Sequence, residues 1–225
     1  MIRIAPKMVR LSTDWDQSIW AGDWLLVYAD LHRPGFKPSR NGVVGFHPDG
    51  RCEKAVLAGI ERNRSLQVEA YTLVTYPEDT RGMPLSQVRA RTREVGVCFA
   101  PKYGNPIDVV RTEPLRSVRR LPHPDAVPRR HSAAVDAGDV SVSTADHYAK
   151  YPANKWITNG HRRALAAAFA GVGKNGFVVF NRETGGLRAI DLGEPVVRVE
   201  VRADGLMAAA ILKDNAVAFV DLGDD

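Results

Sequence analysis

Val196-Val197-Arg198-Val199-Glu200-Val201, Ala203-Asp204-Gly205, Leu206-Met207-Ala208-Ala209-Ala210-Ile211-Leu212, Lys213-Asp214-Asn215 and Ala216-Val217-Ala218-Phe219-Val220-Asp221 follow one another almost without interruption. Val196 to Val201 alternates in character with period two, as a strand does when its two faces differ. Asp204-Gly205 is the dipeptide of a tight hairpin, and Lys213-Asp214-Asn215 is a second polar turn between apolar runs. The stretch therefore reads as three antiparallel strands joined by two turns.

The same pattern occurs earlier in the chain. Leu165-Ala166-Ala167-Ala168-Phe169, the turn Gly173-Lys174-Asn175-Gly176 and the strand Phe177-Val178-Val179-Phe180-Asn181 lie 40–41 residues upstream of their counterparts. Between the copies, Thr184-Gly185-Gly186 is a turn, Leu187 to Leu192 an outer strand and Gly193-Glu194-Pro195 a connector. A period of about 40 residues is the length of one four-stranded propeller blade. In length and strand order, about 60 residues of this region resemble WD40-like β-propeller repeats. Within that region, from Leu165 to Asp221, the Gly-His and Trp-Asp signatures of those repeats are absent. The last copy holds three strands and no fourth. The resemblance implies that an N-terminal strand, Ile2 to Leu11 or Trp24 to Ala29, completes that blade and removes its free edge.

Val43 to Gly50 followed by Ala55 to Ala58 is a weaker echo of the repeat, and Leu66 to Tyr76 reads as a long strand. Further strands are expected at Trp24–Ala29, Val88–Ala100 and Ile107–Arg111. An Ala-rich helix capped by Asn159 competes with a strand at Leu165 to Ala170, but the matching copy contains Ile211-Leu212 and favours the strand. Residues 121–162 carry Pro122, Pro124, Pro128 and Pro152 without sustained period, so a long loop is expected there. The reading is an all-β fold: a small β-propeller or propeller-like barrel of antiparallel blades in a single β domain, residues 1–225. The alternative is an N-terminal β domain at 1–120, a linker at 121–162 and propeller-like blades at 163–225.

With 44% apolar and 25% charged residues, the 225-residue chain can build an ordinary core. Met1 to Lys7 is broken by charge and proline before an apolar segment can form, and the longest stretch without charge is ten residues, Ala164 to Gly173. A cytoplasmic protein without a membrane span is expected. Cys52 and Cys98 have no cysteine or histidine within four residues, which predicts two buried, reduced thiols and no zinc. The formal charge of +5 is uneven. Residues 81–130 hold eleven basic residues, ten of them arginine, against four acids. Any electrostatic partner is expected at that segment.

Arg89, Arg91 and Arg93 alternate and would share one face of a strand. Arg116, Arg119 and Arg120 add a second group. Arginine forks suit phosphate or carboxylate, so nucleic acid is one candidate partner and an acidic protein surface another. No aromatic residue for base stacking occurs between Tyr103 and Tyr148, which favours the protein. Trp15, Trp20 and Trp24 fall within ten residues and could be binding anchors or indoles plugging the core. Thr13 with Asp16 could cap a short helix ending near Gly22. Gly171-Val172-Gly173-Lys174-Asn175 departs from a phosphate-binding loop at Ala168 and Asn175 and reads as a hairpin turn. His123, His131 and His147 fit no compact ligand spacing. No reactive constellation stands out and no cofactor is implied. The expected function is a non-catalytic adaptor that docks a partner protein, with nucleic-acid binding as the alternative and a hydrolase on the propeller face as a weaker one.

Overall fold

The computed structural model describes residues 1–14, 17–33, 36–57, 68–75, 82–91, 93–101, 107–112, 115–121, 134–137, 140–143, 154–158 and 166–223. These form β1 (Ile2–Ile4), β2 (Val9–Leu11), β3 (Ser18–Ala21), β4 (Trp24–Arg33), β5 (Phe36–Phe46), β6 (Cys52–Val56) and β7 (Val68–Thr75). There follow α1 (Leu85–Arg91), β8 (Arg93–Pro101), β9 (Ile107–Thr112), β10 (Leu115–Leu121), β11 (Ala134–Ala137), β12 (Val140–Ser143) and β13 (Asn154–Thr158). The last six are β14 (Ala168–Val172), β15 (Gly176–Asn181), β16 (Leu187–Asp191), β17 (Val196–Val201), β18 (Met207–Leu212) and β19 (Val217–Asp221). The fold is all-β, and every strand pairing is antiparallel. Among the described residues no helix is long and apolar enough to cross a membrane.

Four sheets and one ribbon follow in chain order. Sheet I runs β2-β4-β5-β6, with β3 also on β4. Sheet II runs β10-β9-β8-β7-β13, and β11 pairs with β12 in the ribbon. Sheet III is β14-β15-β16, and sheet IV is β1-β19-β18-β17. The repeated C-terminal pattern thus supplies sheets III and IV. β1 completes sheet IV as the sequence implied, with Ile2 opposite Phe219 and Ile4 opposite Val217. Arg3 fastens this pairing through Glu194, at 3.3 Å, and through Asp214.

Three buried clusters hold the sheets face to face. Phe177 and Val179 of sheet III pack on Val199, Val201, Ala208, Ala210 and Leu212 of sheet IV. The opposite face of sheet IV, with Ala209, Ile211, Val217 and Phe219, meets Trp20, Leu25, Val27 and Phe46 of sheet I. The far face of sheet I, with Ile19, Leu26 and Val43, meets Val68, Ala70, Val97 and Phe99 of sheet II. Sheets IV and I are covered on both faces. Their strands accordingly read as near-continuous apolar runs such as Leu25-Leu26-Val27 and Ala208 to Leu212, not as polar/apolar alternation.

The expected strand at Val88–Ala100 is corrected: residues 85–91 are helical. Pro84 lends its carbonyl to the Val88 N–H at 3.1 Å, opening a turn of good helix formers, and the strand begins only at Arg93. The long loop at 121–162 is also corrected, because β11, β12 and β13 lie inside it and β13 pairs with β7. Short alternations, Val140-Ser141-Val142-Ser143 and Lys155-Trp156-Ile157, outweigh the surrounding prolines. Ser18–Ala21 is a strand where a capped helix was expected to continue. Its register against Leu25–Val27 lets Ile19 and Trp20 bury on opposite faces of sheet I. Asn159, the cap of the alternative helix, and His123, His131 and His147, whose spacing fitted no metal site, lie outside the described residues. Gly173 and Gly176 close the β14–β15 hairpin turn, with Gly173 N–H donating to the Gly176 carbonyl at 2.8 Å.

Candidate protein-docking surfaces

Trp20 and Trp24 face inward. Trp20 packs edge-on against Phe219, with ring centroids 5.8 Å apart, and its Nε1 donates to the Glu200 carbonyl at 3.4 Å. Trp24 is sealed by His47, edge-on at 5.1 Å, and by the Arg51 guanidinium 5.0 Å above its ring. Asp49 fixes that lid by accepting from Arg51 Nε at 2.7 Å, and the Arg51 backbone N–H holds its carboxyl below the usual range. Two large apolar side chains at the ends of β3 and β4 gain more from the core than from water. Trp20 and Trp24 are therefore core residues, the second of the two roles the sequence offered them. Trp15 lies outside the described residues.

The arginines are distributed differently from the single strand face expected. Arg89 and Arg91 belong to α1, and Arg93 opens β8. Antiparallel order brings the start of β8, the end of β9 and the start of β10 to one end of sheet II. That end carries Arg93, Arg111 and Arg116, with Arg111 and Arg116 directly opposite in the register. Lys155 stands at the same end through β13, opposite Val74. Arg119 and Arg120 lie farther along β10, opposite Val109 and Asp108.

Sequence reasoning missed a second surface. Sheet III packs on sheet IV by one face only. On the other, Phe169, Phe180 and Leu187 form one cross-strand row and Gly171, Val178 and Ala189 the next. Leu187 is 72% exposed and Phe169 46%. The Phe169 and Phe180 rings lie 5.0 Å apart, with the Arg182 guanidinium 5.3 Å above Phe169. The available signal was Phe177-Val178-Val179-Phe180, apolar on both faces in a sheet that has a described neighbour on one.

Charges also lie inside the stack. Arg198 and Glu200 of β17 are 1% and 2% exposed and project toward sheet I. Glu200 Oε1 accepts from Ser18 Oγ at 2.7 Å and faces Arg198 Nε at 3.5 Å. Arg198 donates in turn to the Asp14 carbonyl. Tyr28 donates to Asn41 Oδ1 at 2.8 Å, and burial, then the nearby Asp30 carboxylate, pushes its phenol up to about 12. A raised phenol contributes stability fully present below the ordinary value of 10.0 and lost as pH rises through about 12. Alkaline titration followed by tyrosinate absorbance should show one late-ionising phenol, and Tyr28→Phe should remove it. The free Cys52 thiol is half-buried, and burial raises its pKa.

Searches against protein families, curated proteins and solved structures found no match to this chain.

Proposed function

We propose that this protein is a non-catalytic interaction module with propeller-like architecture, docking a partner protein that combines an apolar strip with acidic residues. The observation that carries the reading is the exposed Phe169–Phe180–Leu187 row on sheet III. A contiguous apolar face of this kind marks an interaction site. The packing supports the architecture: sheets III, IV, I and II stack in that order, as successive blades would, and β1 seals sheet IV. The arc ends at the apolar face of sheet III and at sheet II with its arginine-bearing end. An acidic partner would be steered toward Arg93, Arg111 and Arg116, helped by Arg89 and Arg91, while Arg119 and Arg120 extend the positive strand. Nucleic acid is the second reading, favoured by the same arginine register and disfavoured by the burial of Trp20 and Trp24.

The test compares wild type with Phe169→Asp/Leu187→Asp and with Arg93→Glu/Arg116→Glu as bait in cell extract, with and without nuclease. A protein retained by wild type, resistant to nuclease and lost from both variants is the expected result. Retention that depends on nucleic acid supports the second reading, and retention unchanged by both variants overturns the proposal. The aspartate pair removes the Phe169–Phe180 contact and two strand-forming side chains, so a loss of about 1 kcal/mol per site is expected, and melting curves check that the variant folds.

A further inference from the structure

A cavity of about 220 Å³ opens at the edge of sheet I, where the chain leaves β2 and returns as β3. Arg10, Thr13, Asp14, Gln17, Tyr28 and Asp30 are among its lining residues. Gln17 is 7% exposed, and its carboxamide has no hydrogen-bond partner among the described residues. Its amide atoms reach solvent through the cavity, so a ligand there can take up their hydrogen bonds in place of water. The wall is held firmly. The Asp14 carbonyl accepts from Arg198 and from the Gln17 N–H, the latter at 3.2 Å, while the Asp14 N–H donates to Ser12 Oγ at 3.0 Å. Arg198 itself is buried between sheets, so the position of Asp14 is set by the core and not by the loop alone.

We infer that this cavity binds a small polyhydroxylated ligand, a single sugar or polyol, on Gln17, Asp14, Asp30 and Arg10. The lining groups choose the class. Arg10 offers only donors, Asp14 and Asp30 only acceptors, and Gln17 both. A hydroxyl group donates and accepts at once and can bridge such a set, whereas a simple carboxylate would be repelled by the two aspartates and a simple ammonium would offer Arg10 no acceptor. The volume corresponds to roughly seven waters, enough for one sugar ring and too little for an oligosaccharide.

Saturation-transfer NMR on the full chain with glucose, mannose, galactose, glycerol and ethanolamine tests the assignment. At least one sugar or polyol should bind saturably in the millimolar range or tighter. Gln17→Met keeps the side-chain volume without the amide and should weaken binding by about tenfold or more, while Lys174→Ala, on the exposed β14–β15 turn, should leave it unchanged. Asp30→Asn should weaken it as well, and serves if the Gln17 variant does not fold. No saturable binding would overturn the site as a hydration cavity only. Preferential binding of ethanolamine would overturn the ligand class, and binding indifferent to both variants would overturn the location.

Discussion

Glu200→Ala is expected to remove roughly 3–5 kcal/mol of stability, because it leaves a guanidinium between two sheets without the carboxylate that faces it. Arg198 and Glu200 stand two apart on β17 and so share the face turned toward sheet I, among the apolar side chains of Ala209, Ile211 and Trp20 and beside the Ser18 hydroxyl. The Arg198 side chain cannot swing to water without unpacking Asp14, whose carbonyl it holds. In a chain of this size the loss corresponds to a fall in melting temperature of roughly 10 °C. Glu200→Gln should fall between, since an amide can still accept from Ser18. The pair Arg198→Met/Glu200→Leu should recover much of the loss, because a buried ion pair is often no more stable than apolar groups of the same volume. Thermal and urea melts of the four proteins make the comparison. A cost below about 1 kcal/mol for Glu200→Ala would place the pair in the class of solvated ion pairs and overturn this account.

The second large effect is expected at Gly176, the first residue of β15. A methyl group there would run into the Ile190 carbonyl oxygen of the adjoining strand, which is backbone and has no rotamer to yield. Gly176→Ala should therefore pull β15 from β16 at this end. The Leu192 N–H bond to the Asn175 carbonyl, 2.8 Å long, should break first. A loss of about 3 kcal/mol is expected, at the upper end of overpacking penalties because backbone must move. Gly171, on the neighbouring strand, meets nothing within 4 Å of the same methyl, and Gly171→Ala should be neutral or stabilising by about 0.5 kcal/mol. Equal melting temperatures for the two variants would refute the steric argument.

The C-terminal strands were legible because their turns are explicit. Gly205, at φ +79°, sits in the Asp204-Gly205 hairpin, and the Asp204 carboxylate accepts from the Leu206 N–H at 2.9 Å. The closing role of an N-terminal strand was legible too, since a three-strand unit leaves an edge that something must pair. α1 was not, because Arg89, Arg91 and Arg93 alternate as a strand would and only Pro84, just before the helix, argues otherwise. The core role of Trp20 and Trp24 was named as one of two readings, but composition could not choose between them. The exposed row on sheet III was hidden for a different reason. A strand apolar on both faces says that both faces are covered, and cannot say by whom. Nor could a local pattern reveal that Gln17 lacks a partner, since this depends on contacts between segments far apart in the chain.

The pairing of Ile2 with Phe219 has a consequence for the order of events during synthesis. At 5–20 residues per second, the first strand waits on the order of ten to forty seconds before its neighbour is made. Sheet I can assemble early from contiguous segments, but its sheet IV-facing side, with Leu25, Val27 and Phe46, stays uncovered until β18 and β19 emerge. The nascent chain therefore carries an apolar surface through most of its translation, and that interval is when a chaperone would find it.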